Sequence, residues 1–303
     1  RGVKNLPFFT SGGSRSWKKR IALIDLDVNS LVEDKSCVKV YGIFAFVEAK
    51  NKYDITRQWL HAQVFHRYLL HDSTGYVNQG NLDKMSLKNI TIIGAPIDLG
   101  SEQLGVEMGP DAVRAAGLVR ALTSLGFDVA DDENISVPNG ERTMGDPRAK
   151  YLEAIMNFSR RLARHINKVV TTERLPLTIG GDHSAAIGSI AGVTSVKQDV
   201  GLLWIDAHPD ANTPETTTTG NIHGMPLAVL LGHGESALTH VASSKPKLKP
   251  EHAVLIGVRS YEPDEAALLK KLGVTIFYMD DIKKLGMQKV IESAVEMVTK
   301  NTA

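Results

Sequence analysis

The sequence has little cysteine, no long apolar run and almost no net charge. A single cysteine excludes an internal disulfide framework. No apolar run approaches the roughly 20 residues that a membrane-spanning helix needs. A formal net charge of +1 gives no reason to expect nucleic acid or an anionic membrane as a partner. The composition therefore predicts an ordinary cytoplasmic globular protein, and the basic start through Arg20 makes a mitochondrial address the alternative.

Aromatic residues are scarce after residue 84, which divides the chain into two unlike parts. Residues 1–84 hold eleven of the eighteen aromatic residues and a net charge of +5, whereas the rest carries −4. We therefore predict an N-terminal extension over 1–84, unassigned in function and either disordered or non-native, and a separate domain over 85–303. Within the extension, Ile21–Val28 and Val38–Val47 have the apolar content of strands and Asp54–Leu70 that of a helix.

From residue 85 onward, short apolar runs alternate with helical patterns. Strands are predicted at Ile90–Ala95, Phe127–Ala130, Leu175–Ile179, Val200–Ile205, Ala253–Val258 and Val274–Met279. Helices are predicted at Pro110–Leu125, Pro147–Val170, Ser184–Ala191, Pro226–Leu231, Pro263–Leu272 and Lys283–Thr299. This alternation predicts an α/β fold with a parallel sheet covered on both faces. Ligands of such sheets bind beyond the carboxyl ends of the strands.

Metal-ligand side chains follow two of these predicted strands. Asp206, His208 and Asp210 alternate directly after one strand, so an extended chain would direct all three at one point. His183, in the block Gly-Gly-Asp-His-Ser, follows the strand before it. Carboxylates mixed with imidazole suit Mn²⁺ or a similar divalent ion. Four such ligands exceed what one catalytic ion needs from the protein, so a two-metal site is predicted.

A polar loop and a further histidine follow the metal-ligand segment. The run Thr216–Thr219 and the nearby Asn side chains offer donors to an anionic group, although a solvated turn would have the same composition. His223 is a candidate proton shuttle, because imidazole titrates near neutral pH. The alternative is a histidine that only hydrogen-bonds within the loop.

Four blocks in order give the chain from Ile90 to about Thr299 a resemblance to the ureohydrolase family and, within it, to the arginases. The blocks are IGAPIDLGSEQLGVEMGPDAVRAAGL, GGDHS, DAHPDANTPETTTTGNIHGMP and IGVRSYEPDE. The resemblance implies a three-layer α/β/α sandwich, two Mn²⁺ ions, and hydrolysis of L-arginine to L-ornithine and urea. It also implies a homo-oligomer, either a trimer or a hexamer.

The resemblance assigns roles to residues at matching motif positions. His183 and Asp210 would serve one ion, His208 the other, and Asp206 both. His223 would be the proton shuttle. The substrate's head group would be held by Asn212, Thr217 and Thr219, with Asn221 beside them and Glu262 near the α-amino group. The donor-rich loop favours arginase over agmatinase, because agmatine lacks the α-carboxylate that such a loop would bind.

Two departures from the family pattern qualify these assignments. Ser260 stands where the arginases have an aspartate, which leaves open another guanidino acid as substrate. The later Ser-Phe-Asp-x-Asp type block, which supplies two more metal ligands, is not in the sequence. We therefore expect a sheet that lacks central strands, an unstable chain and little or no activity. The alternatives are an agmatinase or guanidino-acid hydrolase, or an inactive truncated family member.

Overall fold

Eight β-strands form one sheet in the computed structural model, which describes residues 20–23, 43–46, 89–101, 103–137 and 143–299. The strands are β1 (Arg20–Leu23), β2 (Ile43–Phe46), β3 (Asn89–Ala95), β4 (Asp128–Asn134), β5 (Leu175–Gly180), β6 (Leu202–Ile205), β7 (Ala253–Val258) and β8 (Thr275–Tyr278). The α-helices are α1 (Gly109–Ala115), α2 (Leu118–Ser124), α3 (Leu152–Thr171), α4 (Ala185–Thr194), α5 (Pro226–Leu230), α6 (Ser236–Thr239), α7 (Pro263–Leu272), α8 (Met279–Leu285) and α9 (Met287–Thr299).

The strands lie in the order β4-β3-β5-β2-β1-β6-β7-β8. Every neighbouring pair is parallel except those that include β1, which runs antiparallel to both β2 and β6. The two ends of the sheet are built from strands joined by helices, as right-handed crossover connections require. The predicted α/β class is therefore confirmed, with one antiparallel strand in the middle of the sheet.

Apolar side chains pack helices onto both faces of the sheet. On β6, Leu202 and Trp204 join the large cluster beneath α3, α4 and α5, whereas Leu203 joins a second cluster with α9. Such alternation is expected for a strand covered on both sides. The result is the predicted three-layer sandwich. Among the described helices, none combines the length and the apolar character needed to cross a bilayer.

Glycine and one tyrosine shift several predicted helix boundaries. The predicted helix Pro110–Leu125 is two helices, because Gly117 between them has φ +93°. The predicted helix Lys283–Thr299 is likewise interrupted at Gly286, where φ is +86°. The helix predicted from Pro147 begins only at Leu152, because Tyr151 has a left-handed φ of 57°. A left-handed residue cannot continue a right-handed helix, so each boundary follows from one backbone position.

The two middle strands come from the N-terminal extension. β2 pairs with β5 from Ile43↔Leu177 onward, and β1 meets β6 at Leu23↔Leu203. β2 falls within the run predicted over Val38–Val47, and β1 overlaps the run predicted over Ile21–Val28 but begins one residue earlier. The predicted helix Asp54–Leu70 lies outside the described residues. The expected open middle of the sheet is thus occupied by these two strands, contrary to the prediction. The domain boundary near residue 84 stays a prediction.

Candidate metal and substrate site

Three buried ligand-type side chains meet beyond the ends of β5 and β6. One ligand atom from each of His183, Asp206 and Asp210 lies within 4.8 Å of the other two. His183 Nδ1 is 2.5 Å from Asp210 Oδ2 and 3.3 Å from Asp206 Oδ2. β2 and β1 lie between the two strands that carry this cluster. The cluster therefore connects the strands on either side of β2 and β1. Its imidazole nitrogen and carboxylate oxygens fit a divalent ion such as Mn²⁺.

His208 lies at the side of this cluster. Its Nδ1 is 3.3 Å from Asp206 Oδ1, and the same oxygen accepts its backbone N–H at 3.0 Å. The prediction that an extended chain presents alternate residues to one point is wrong, because β6 ends at Ile205 and Asp210 has φ +51°. A turn therefore brings Asp206 and Asp210 together and leaves His208 beside Asp206. The assignment of ligands to separate ions stays a prediction.

The environment of His183 shows how much negative charge the cluster holds. Burial lowers the pKa of His183, but hydrogen bonds to Asp206 and Asp210 outweigh it, so the net pKa is raised. Two buried carboxylates need a cation nearby, and a protonated imidazole supplies one charge only. Trp204 stacks on this imidazole with ring centroids 4.4 Å apart and fixes its plane. The remaining negative charge of the two carboxylates is what a bound metal ion would offset.

Asp182 lies next to His183, and no role was predicted for it. Its carboxylate is buried and accepts backbone N–H groups from Gly100 at 2.7 Å, Ser101 at 3.2 Å and Ser184 at 2.8 Å. Burial raises the pKa of Asp182 although these hydrogen bonds oppose the rise. The carbonyl of Gly100 in turn accepts the backbone N–H of His223 at 3.1 Å. Asp182 therefore ties the loop after β3 to the segment that carries His223.

His223 and Asn221 lie at the far end of the polar loop. His223 belongs to a 3₁₀-helix over Ile222–Gly224, is half-buried, and lies outside the group of three converging ligand atoms. The backbone N–H of Asn221 donates to Thr219 Oγ1 at 3.2 Å. The side-chain oxygen of Asn221 is buried without a partner among the described residues. The proton-shuttle role of His223 stays a prediction.

The polar loop folds back on its own backbone. Thr217 Oγ1 accepts N–H groups from Gly220 at 2.9 Å and Thr219 at 3.3 Å, which leaves its hydroxyl proton to donate elsewhere. Asn212 Nδ2 donates to Glu262 Oε2 at 2.9 Å. Thr218 Oγ1 also lies 3.4 Å from Glu262 Oε1, so the loop contacts the carboxylate at the start of α7 through Asn212 and Thr218.

Glu262 and Glu265 form a coupled acid pair at the start of α7. Glu265 is buried and accepts the backbone N–H groups of Ala211 and Glu262, each at 2.9 Å. Burial and the neighbouring Glu262 raise the pKa of Glu265 to about 8. The hydrogen bond from Glu265 lowers the pKa of Glu262. One proton held on Glu265 therefore keeps Glu262 anionic at neutral pH, and nearby Ser260 is exposed.

Comparison with known proteins matches the part of the chain that carries this site. The family model of the arginase family matches residues 88–303. An arginase from Bacillus caldovelox is 44% identical over 218 residues, which are 71% of this chain and 73% of that protein. An arginase from Bacillus subtilis strain 168 is 42% identical over 70% of this chain and 71% of its own length.

Solved structures of arginases are similar to this chain in fold. The native structure of Bacillus caldovelox arginase at pH 5.6 has a TM-score of 0.69 and covers 72% of this chain and 73% of its own. A structure of Entamoeba histolytica arginase in complex with L-ornithine is 31% identical with a TM-score of 0.63, over 70% of this chain and 72% of its own. Fold, cluster and relatives agree: the chain belongs to the arginase family of ureohydrolases, which are hydrolases acting on C–N bonds.

Proposed function

We propose that this protein hydrolyses the guanidino group of L-arginine to give L-ornithine and urea. The hydrogen bond between Asn212 and Glu262 supports this most directly. It sets donors for an α-carboxylate beside an acceptor for an α-ammonium group, which is what a zwitterionic amino-acid head needs. The relative from Entamoeba histolytica, an arginase in complex with L-ornithine, supports the same substrate class.

Mn²⁺ is the proposed cofactor at the buried cluster. His183, Asp206 and Asp210 would hold it, with His208 at the side for a second ion. Imidazole nitrogen and carboxylate oxygen suit Mn²⁺, and bound ions would supply Lewis acidity that activates water and polarises the guanidinium group. The two buried carboxylates fit this role because a cation would offset their charge.

The chain's own residues bind and orient the substrate and move its protons. The anionic Glu262 accepts hydrogen bonds from the α-ammonium group, and Thr217 and Thr219 donate theirs to the α-carboxylate. His223, half-buried at the end of the polar loop, transfers a proton between solvent and the leaving amine. With the head group fixed in this way, the guanidinium reaches towards the metal cluster, which raises the effective concentration of the reacting groups.

Binding of reaction products separates this proposal from its rivals without requiring turnover. We would titrate Mn²⁺-loaded protein with L-ornithine and with putrescine, the corresponding amine without a carboxylate, by isothermal titration calorimetry. L-Ornithine should bind at least about tenfold more tightly, since one charge-assisted hydrogen bond is worth about 1.5 kcal/mol or more. Glu262→Gln should weaken L-ornithine binding by about tenfold, and the exposed control Glu251→Gln should leave it unchanged.

Equal affinity for putrescine would overturn the proposal in favour of an agmatinase. A second candidate is a hydrolase of a guanidino acid without an α-amino group, which the exposed Ser260 favours because it removes one carboxylate from the head-group region. Its product, 4-aminobutyrate, would then bind as tightly as L-ornithine.

Cytoplasmic location and homo-oligomeric assembly belong to the same proposal. We propose the small-molecule substrate and further copies of the chain as its partners. The net charge of +1 gives no support for binding to nucleic acid or a membrane. Sedimentation velocity of the purified chain would test the trimer or hexamer, and a monomer at all concentrations would refute it.

A further inference from the structure

A second cleft lies on the outer side of α3, away from the metal cluster. It encloses about 660 Å³ between α3, the end of α4 and the loop after α6. α4 begins next to His183 and runs 10 residues to this cleft, which at 1.5 Å per residue is about 15 Å. The cleft therefore lies towards the opposite edge of the sheet from the proposed substrate site.

Among the described residues, those that line the cleft carry positive charge and include no carboxylate. Arg160, Arg164 and Lys168 stand at every fourth residue of α3, so they form one exposed row with about 6 Å between steps. His240 faces them from the opposite wall. Within the part of the chain that the structure describes, none of the three α3 cations forms an ion pair.

The row is not explained by helix electrostatics alone. Lys168 lies in the last turn of α3, where a cation complements the negative end of the helix dipole. Arg160 and Arg164 lie further than one turn from that end, where this effect has decayed. Like charges four residues apart on a helix also repel each other. An anion bound between them would relieve this repulsion.

The opposite walls of the cleft are preformed. The buried ammonium of Lys247 donates to the carbonyls of Thr239 at 2.5 Å, Ser243 at 2.8 Å and Lys245 at 3.0 Å, which fixes the loop after α6. Burial lowers the pKa of Lys247 to about 8. Protonated Lys247, behind this loop, adds positive potential to the cleft. Because the loop is already fixed, it loses little conformational entropy when a ligand binds.

Hydrogen bonds also fix the remaining wall. Asn167 Nδ2 donates to Ser195 Oγ at 2.8 Å, and Ser195 Oγ donates to the carbonyl of Gly192 at 2.6 Å. His240 Nδ1 donates to the carbonyl of Ser236 at 2.6 Å, which fixes the orientation of the ring. His240 is the only aromatic residue among the described residues that line the cleft, so stacking of a nucleobase has little support.

We infer that this cleft binds a condensed phosphate, such as the triphosphate of a nucleotide or inorganic tripolyphosphate. Two guanidinium groups one helical turn apart suit adjacent phosphates, because each forms paired hydrogen bonds to phosphate oxygens. Lys168 extends the cationic lining for a third phosphate. The inference is independent of the proposed arginine hydrolysis, since it uses none of the residues of that site.

Calorimetric titration of the full 303-residue chain with tripolyphosphate, in chelator-treated buffer at physiological salt, tests the inference. We expect saturable binding. The double variant Arg160→Gln with Arg164→Gln should lower the affinity at least about tenfold, because both pairs of guanidinium–phosphate hydrogen bonds are lost. The double variant Arg160→Lys with Arg164→Lys keeps the charge but loses the paired guanidinium donors. Its affinity for tripolyphosphate should lie between those of the wild type and the double Gln variant. The double variant Lys270→Gln with Lys271→Gln removes the same charge from an exposed part of α7 and should bind like wild type.

Absence of binding at millimolar tripolyphosphate would overturn the inference, and so would an equal loss in the α7 control, which would indicate only bulk attraction. Titration with ATP distinguishes the two sources of the phosphate chain. Equal affinity for ATP and tripolyphosphate supports phosphate recognition alone, and tighter ATP binding that depends on the same arginines supports a nucleotide.

Discussion

The two halves of the sheet hold their buried acids in different ways. In the half formed by β4, β3 and β5, Asp182 is surrounded by three backbone N–H groups. In the half formed by β6, β7 and β8, Asp206 accepts one backbone N–H and contacts an imidazole from the other half, and Glu265 accepts two backbone N–H groups and holds a proton. The groups that hold Asp182 all come from its own half, whereas the acids of the second half also depend on a proton and on a residue of the other half. The metal cluster, which has residues from both halves, therefore depends on the pairing of β1 and β2 between them.

The largest effect should come from breaking that join at β1. Ala22 pairs with Phe44 of β2, and β1 has a strand on each side. Ala22→Pro removes a backbone donor from a central strand, so we expect a loss on the order of 3 kcal/mol in the free energy of unfolding, as for proline inside a helix. Urea denaturation followed by circular dichroism measures it. Ala22→Val is the matched control, and equal stability of the two variants would show that the halves hold together without β1.

A smaller, pH-dependent effect should distinguish the second half. The pKa of Glu265 is raised from 4.5 to about 8, so the folded state keeps a proton that the unfolded state has lost between those values. Stability should therefore fall as pH rises through this window, by at most ~1.4 kcal/mol per pH unit, because a single proton is involved. Glu265→Gln should flatten this dependence between pH 5 and pH 8 in urea denaturation.

Glu296→Gln, on the exposed side of α9, is the control for that experiment and should keep the wild-type slope. The difference between the two variants isolates Glu265 from other titrating groups in the site. A slope that is unchanged in Glu265→Gln would mean that Glu265 is ionised in the folded protein, and the two halves would then not differ in the way described.

The smallest effect should come from the polar loop. Thr217→Val leaves the N–H groups of Thr219 and Gly220 without their acceptor, at a cost of about 1 kcal/mol for a half-exposed position. Thermal unfolding should show this loss, and L-ornithine binding should weaken in parallel. Thr217→Ser keeps the hydroxyl and should restore both. If Thr217→Ser behaves like Thr217→Val, the methyl group and not the hydrogen bonds supports the loop.

Much of the fold and part of the site follow from local sequence. β7 and α7 match their predicted bounds because turn residues flank each apolar run. The meeting of His183 with Asp206 could be predicted because both follow strands of one α/β sheet. The breaks at Gly117 and Gly286 could not, since each depends on the φ that one glycine adopts.

Long-range pairing accounts for the other differences. No local pattern indicates that β1 and β2 insert between β5 and β6, because that choice depends on which strands are left unpaired after the rest has folded. The role of Asp182 is also tertiary: its partners Gly100 and Ser101 are about 80 residues away in the chain. The sequence motif shows that Asp182 is present, but its hydrogen-bond partners are seen only in the folded structure.

The stacking of Trp204 on His183 gives the site an optical reporter. Indole fluorescence responds to the charge and magnetism of its immediate neighbours, and this indole is in contact with a proposed ligand of the cluster. Binding of paramagnetic Mn²⁺ should quench its emission, whereas diamagnetic Mg²⁺ at the same position should not. Occupancy of the cluster could then be followed in real time, without label or substrate.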